Sequence, residues 1–197
     1  MMSFQLFGAV LSGGKSSRMG SDKALLPWAN SNFLHSAIHL IKPFCKKVII
    51  CSANPNHDID GEIRIHDIVP SHGPVSGIIS ALSFFSEYPV LIVACDMPFL
   101  SKMVIIELCK NYHSKYDAIV FVEQGEREPL CSIYNPTSLL KFQKSFDSGV
   151  YKLQEILNGM DVKYVMLKRN FNNFSESYFR NVNTMDDYKQ LIEKYYE

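Results

Sequence analysis

The chain has no excess of charge: 20 Lys and Arg balance 20 Asp and Glu over 197 residues. Broad, sequence-independent binding to nucleic acid needs a basic face, so that function class is not expected. No apolar run approaches the ~18 residues that cross a bilayer. The apolar start at residues 4–11 is short, lacks a basic lead and breaks at Gly13, unlike a signal peptide. The five cysteines (Cys45, Cys51, Cys95, Cys109, Cys131) form no CxxC spacing. Their odd number and apolar surroundings read as reduced, buried thiols, with a disulfide framework or a zinc site as the alternatives. Internal repeats, low-complexity tracts and linkers are also missing. A cytoplasmic protein with no membrane partner is expected, and 197 residues suit one domain.

What is present is an alternation of strand-length apolar runs with helical segments. "QLFGAVL", "KVIICS", "EIRIHD", "PVLIVACD", "DAIVFVE", "PLCSIYN" and "VKYVMLK" read as strands. Helices are predicted for "NFLHSAIHLIKPF", ending near Pro43, and for "GPVSGIISALSFF", "SKMVIIELCKNYH", "SLLKFQKSF", "YKLQEILNG" and "TMDDYKQLIEKYYE". Ser101 and Thr184 stand at N-cap positions, and Asp187 follows Thr184 by three. Strands apolar on both faces and interleaved with helices predict an α/β fold, with a mostly parallel sheet covered on both sides. In such sheets ligands sit beyond the carboxyl ends of the strands, so polar residues just after a strand carry the functional interest. The stretch at 168–181 reads as an ordered loop with four aromatic residues.

"LSGGKSSRMGSDKALL", residues 11–26, follows the first strand and packs three glycines, two lysines, an arginine and four serines into sixteen residues. It is not a P-loop: Gly14-Lys15-Ser16 supplies the end of that motif, but its first glycine would fall on Ala9, inside the strand. A dinucleotide fingerprint fails as well, because Gly13 and Gly14 are adjacent. A plain strand-to-helix turn would explain Gly13, Gly14 and Gly20. It would not explain Lys15, Arg18 and Lys23 on the same loop. Successive backbone N–H groups with those cations form an anion-binding nest.

This stretch resembles the signature of the MobA-like nucleotidyltransferases. The resemblance continues in family order through "HDIVPSHGPVSGI", "ACDMPFL", "GEREPLCSIY" and "NVNTMDDY", spanning almost the whole chain. The double glycine of "LSGG" resembles the guanylyltransferase branch more than the cytidylyl or sugar-nucleotide branches. The resemblance implies a single-domain, three-layer Rossmann-like nucleotidyltransferase fold over residues 1–197, its N-terminal part binding nucleotide and its C-terminal part facing a molybdopterin. It implies transfer of GMP from GTP to a molybdopterin-type molybdenum cofactor with release of pyrophosphate. Leu11, Ser12, Gly13, Gly14, Lys23, Asp67 and Asp96 match nucleotide-binding positions, Arg18, Lys23 and Asp96 catalytic ones, and Asn181 and Asn183 the active-site "NVNT". Asp96 ends the most apolar strand and would hold Mg²⁺, which takes hard oxygen ligands from one or two carboxylates plus substrate phosphates. As the cap of the helix starting near Ser101 it would lie too far away, beyond Pro98. Asp67 also reads as a loop aspartate satisfying turn amides, and Asn183-Thr184 as a helix start. A monomer is expected, with molybdoenzymes or cofactor-delivery proteins as partners.

The chain departs from the family in two places. Where a basic residue and an arginine are common, "SGVYKLQEIL" leaves Lys152 as its one cation, so the pterin contacts stay open. The asparagine expected near the end of the second long strand has no direct counterpart in "VIICSANPN", where Asn54 lies nearby. His35 and His39 stand four apart but lack the glutamate of a zinc-protease motif, so they read as part of an ordinary amphipathic helix. Rival functions are a cytidylyl or sugar-phosphate nucleotidyltransferase, a nucleotide-binding module without catalysis, and a hydrolytic P-loop NTPase.

Overall fold

The computed structural model describes residues 4–13, 22–166 and 178–196. Its centre is a seven-stranded sheet of order β5-β4-β1-β6-β8-β7-β9, made of β1 (Phe7–Leu11), β4 (Val48–Cys51), β5 (Ile63–Ile65), β6 (Val90–Ala94), β7 (Ala118–Glu123), β8 (Glu126–Tyr134) and β9 (Val162–Met166). β5, β4, β1 and β6 run parallel in succession, and β9 is parallel to β7. β8 alone runs antiparallel, wedged between β6 and β7. A two-stranded hairpin, β2 (Pro27–Trp28) with β3 (Ser31–Asn32), lies apart from the sheet.

Alternate strand residues feed two cores, as a period of two requires. On one face Val10, Val48, Ile50, Leu91 and Val93 meet α1 (Phe33–Ile41) through Leu34 and Ile38, and α3 (Lys102–Lys110) through Ile105 and Leu108. On the other, Ala9, Leu11, Ile49, Val90 and Ile92 meet α2 (Pro74–Phe84), α4 (Ser138–Asp147) and α5 (Leu153–Leu157). Each buried strand therefore presents apolar side chains both ways, which is why these runs read as continuous rather than alternating hydrophobicity. A third, smaller cluster joins Trp28 and Phe33 to Val182 and Leu191, tying α6 (Met185–Tyr196) to the hairpin.

Several expectations are refined. The strand predicted for "PLCSIYN" is β8, and it starts at Glu126 instead of at Pro129. Gln124 and Gly125, with φ of +52° and +90°, turn β7 directly into β8, and a bulge opposite Val120 and Phe121 accommodates the proline. α5 is shorter than its apolar pattern, and Ser101 occupies the N-cap of α3 without a side-chain cap bond. Thr184 and Asp187 do form the predicted box. Asp187 Oδ2 accepts the Asn183 and Thr184 N–H groups at 3.0 and 2.8 Å, and Thr184 Oγ1 accepts the Asp187 N–H at 3.1 Å. His35 and His39 sit on α1, the rings 6.4 Å apart. The five cysteines are free thiols. Burial pushes the Cys109 thiol up to about 11 and those of Cys45, Cys51, Cys95 and Cys131 higher still. Among the described residues no helix is long and apolar enough to cross a membrane.

Candidate active site

The carboxyl ends of β1, β4, β5 and β6 lie along one edge of the sheet because the four strands are parallel and in register. A 460 Å³ cavity opens there, lined by Leu11, Ser12 and Gly13 after β1, by residues 51–54 after β4, and by His66 and Asp67 after β5. Gly77, on the first turns of α2, closes its wall. A Cβ at Gly77 would come within 3.1 Å of Leu11 Cδ2, so glycine lets the helix approach the strand end. Desolvation at the cavity wall raises the Asp67 carboxyl above the usual carboxylate range. Among the described residues no turn amide is bonded to the Asp67 side chain, which leaves its carboxylate to the cavity.

The Cys95 N–H extends the β1–β6 ladder to Leu11 C=O at 3.1 Å. That contact places Asp96 one residue beyond the ladder, beside the cavity. Lys23 Nζ donates to Asp96 Oδ2 at 2.5 Å and to Asn183 Oδ1 at 3.2 Å. Val182 N–H donates to Asp96 C=O at 3.0 Å, so the segment before α6 is stitched to the end of β6. Lys23, Asp96 and Asn183, which are 160 residues apart at the extremes, thus meet at one point. Asp96 Oδ1 and Asn181 Oδ1 are buried there without a hydrogen-bond partner among the described residues. A buried carboxylate oxygen left unpaired is costly unless a cation or donor completes it. Hard oxygen donors of this kind suit Mg²⁺. Among the described residues no group of three or more His, Cys, Asp or Glu side chains forms an all-protein metal cage, so such an ion would draw further ligands from phosphates and water.

Of the predicted site residues, Leu11, Ser12, Gly13 and Asp67 line the cavity, while Lys23, Asp96, Asn181 and Asn183 gather at its side. Gly14 and Arg18, with Lys15 and Gly20 of the same loop, lie outside the described residues. So does most of the aromatic stretch at 168–181. Asn54 reaches the cavity, and its Nδ2 donates to Asp22 Oδ2.

Sequence reasoning passed over Asp22, Ser52 and His57. Asp22 Oδ1 accepts the Ala24 N–H at 3.0 Å and so caps the 3-10 turn Lys23–Leu25 that carries the lysine. His57 is 2 % exposed and lies within hydrogen-bond reach of Asp22, Ser52 and Ser12. A signal existed in "SANPNHD": Asn54 before Pro55 is a turn start, and such a turn delivers His57 back toward the strand ends.

The model of the MobA-like NTP transferase domain matches residues 8–162. A probable molybdenum cofactor guanylyltransferase of Clostridium perfringens (strain 13) is 34% identical over 196 residues, covering 94% of this chain and 96% of that protein. A second, from Carboxydothermus hydrogenoformans, is 30% identical and covers 93% of each. The crystal structure of molybdopterin-guanine dinucleotide biosynthesis protein A from Archaeoglobus fulgidus superposes with a TM-score of 0.80 at 24% identity, covering 95% of this chain and 97% of that one.

Proposed function

The chain belongs to the MobA-like NTP transferase family, and from that premise we propose that it transfers GMP from GTP to a molybdopterin-type molybdenum cofactor, releasing pyrophosphate. The observation that carries this reading is the meeting of Lys23 and Asp96 beside the Leu11–Gly13 cavity, in a chain alike over nearly its full length to guanylyltransferases. The reaction is a displacement at phosphorus. A phosphate oxygen of the acceptor forms a bond to the α-phosphorus of GTP, the α–β bridging P–O bond breaks, and the electron pair leaves with pyrophosphate. No side-chain nucleophile is needed, so positioning and charge do the work.

Leu11, Ser12 and Gly13 approach the nucleotide closely, and Asp67 closes its far side. Lys23 holds phosphate oxygens, moving its ammonium from Asp96 to the more highly charged triphosphate. Arg18 and Gly14, on the same loop, add a further cation and backbone N–H groups. Asp96 would hold Mg²⁺ through its unpaired Oδ1, and the ion when bound neutralises charge on the phosphate oxygens. Asn181 and Asn183 support the acceptor side. The 197 residues act as one domain, nucleotide on the N-terminal part and pterin on the C-terminal part, in a cytoplasmic monomer that passes its product to molybdoenzymes or delivery proteins.

The test supplies purified protein with molybdopterin cofactor, Mg²⁺ and one nucleoside triphosphate at a time, and measures pyrophosphate. GTP is expected to work. Turnover of CTP or UTP without GTP would move the chain to the cytidylyl or sugar-phosphate branch, and orthophosphate in place of pyrophosphate would make it a hydrolase. Tight nucleotide binding without turnover would leave a binding module. Asp96→Ala is expected to lower turnover by about 100-fold or more, the scale of one lost electrostatic group in a preorganised site.

A further inference from the structure

His57 touches both halves of the nucleotide site through one buried ring. Its Nε2 is 2.9 Å from Asp22 Oδ2. Its Nδ1 is 2.7 Å from Ser52 Oγ and 3.1 Å from Ser12 Oγ. Asp22 caps the turn that carries Lys23, whereas Ser12 opens the loop after β1. The tautomer follows from the partners. A carboxylate oxygen accepts only, so Nε2 carries the proton in the neutral ring. Nδ1 is then an acceptor whose single lone pair is shared by two hydroxyl donors, Ser52 at 2.7 Å and Ser12 at 3.1 Å. Ser52 Oγ is satisfied on its other side by the Asn54 N–H at 3.0 Å. Ser12 Oγ, having spent its proton on the ring, turns its lone pairs toward the cavity it lines.

We propose that His57 is a two-armed positioning residue for nucleotidyl transfer. Its Nε2 arm fixes Asp22 and, through the cap, the Lys23 turn. Its Nδ1 arm fixes Ser12 and the polarity of its hydroxyl toward the nucleotide. The ring itself touches no reacting atom. The inference rests on the nucleotidyltransferase reading above. It predicts that the arms separate in kcat: loss of the Nε2 arm lowers kcat and also raises the triphosphate Kd, because Lys23 both holds phosphate oxygens and serves the transfer, whereas loss of the Nδ1 arm weakens nucleotide binding and leaves kcat near normal, because Ser12 lies on the cavity wall.

Two amides divide the ring. Gln reaches as far as Nε2 and can donate to Asp22, but offers nothing at Nδ1. Asn places an acceptor near Nδ1 and falls short of Asp22. His57→Gln is therefore expected to keep kcat within about threefold while the Kd for the triphosphate, from calorimetry without acceptor, rises about tenfold. His57→Asn should lower kcat about tenfold, together with the rise in Kd that a displaced Lys23 brings. Asp22→Ala, which also removes the cap on the Ala24 N–H and the acceptor for Asn54, should lower kcat at least as far as His57→Asn, and His57→Asn should add nothing further on top of it, since the Nε2 arm is already lost. Thermal melting of each variant checks the fold. The proposal is overturned if Gln lowers kcat as far as Asn does, as loss of a merely structural histidine would, or if neither variant moves either parameter. The measurements use whichever triphosphate the wild type turns over. A switch from GTP to CTP then overturns the base assignment and leaves the His57 test intact, while a wild type that turns over none overturns both.

Discussion

Desolvation, reinforced by the neighbouring Glu123 and Glu126 carboxylates, pushes Glu128 up to about 7 from 4.5. The folded value lies above the unfolded one, so the fold favours the protonated acid. That contribution is whole below about 4.5 and is lost as the pH rises through about 7. Glu128→Gln, uncharged throughout, should be more stable than the wild type at pH 8 and no more stable at pH 4.5. Water reaches this half-buried side chain, so the gain is put at about 1 kcal/mol, or roughly 2–4 °C in Tm. A melting series at the two pH values reads it directly. Nothing in "GEREPL" announces this acidity, because it depends on how closely the chain folds three carboxylates together. Lys23, Asp67 and Asp96 were legible, because each sits in a motif that follows a strand. His57 was legible only in part: the turn in "SANPNHD" returns it toward the strand ends, but nothing there names its partner Asp22, 35 residues away.

At the level of elements, signals that repeat or cap were legible and those set by pairing were not. α6 declared itself by Thr184 and Asp187, and both bond as a capping box. The β2–β3 hairpin gave no signal, since two-residue strands are too short to show a period. The apolar run "PLCSIYN" puts the start of its strand at Pro129, whereas β8 begins at Glu126 in the polar residues before it. The bulge at Val120/Phe121 moves the ladder around the proline, which only the paired strand can do. The capping box also has a functional side, because it fixes Asn183, whose side chain accepts from Lys23. Asp187→Ala removes the acceptor for two backbone N–H groups. The expected cost is about 1 kcal/mol by thermal or urea unfolding, together with a severalfold fall in pyrophosphate release. Thr184→Ala leaves Asp187 on the Asn183 N–H and should therefore spare turnover while costing part of the stability.

The whole molecule places one antiparallel strand, β8, at the end of the parallel run of the sheet. From β5 to β6 the sheet is parallel, and its carboxyl ends form the edge where the cavity opens. β8 then reverses direction, and β7 and β9 continue the sheet beyond it. Alternating apolar runs predict a mostly parallel, doubly covered sheet, but not the insertion of β8 between β6 and β7, which is a long-range choice. The consequence is a site drawn from distant parts of one chain: residues 11–13 and 22–23, the loops after β4 and β5, Asp96, and residues 181–183. A ligand that bridges these parts binds the folded chain and not the unfolded one, so it must raise stability by mass action. At a hundred times its Kd, GTP should add about 2.7 kcal/mol, roughly 5–10 °C in Tm for a chain of this size. Because Asp96 would hold the ion, part of that shift should require Mg²⁺ in the wild type and vanish in Asp96→Ala, whose response to GTP should be the same with Mg²⁺ or with a chelator. An Asp96→Ala protein that kept a full Mg²⁺-dependent shift would place the ion on other ligands and remove Asp96 from the metal site.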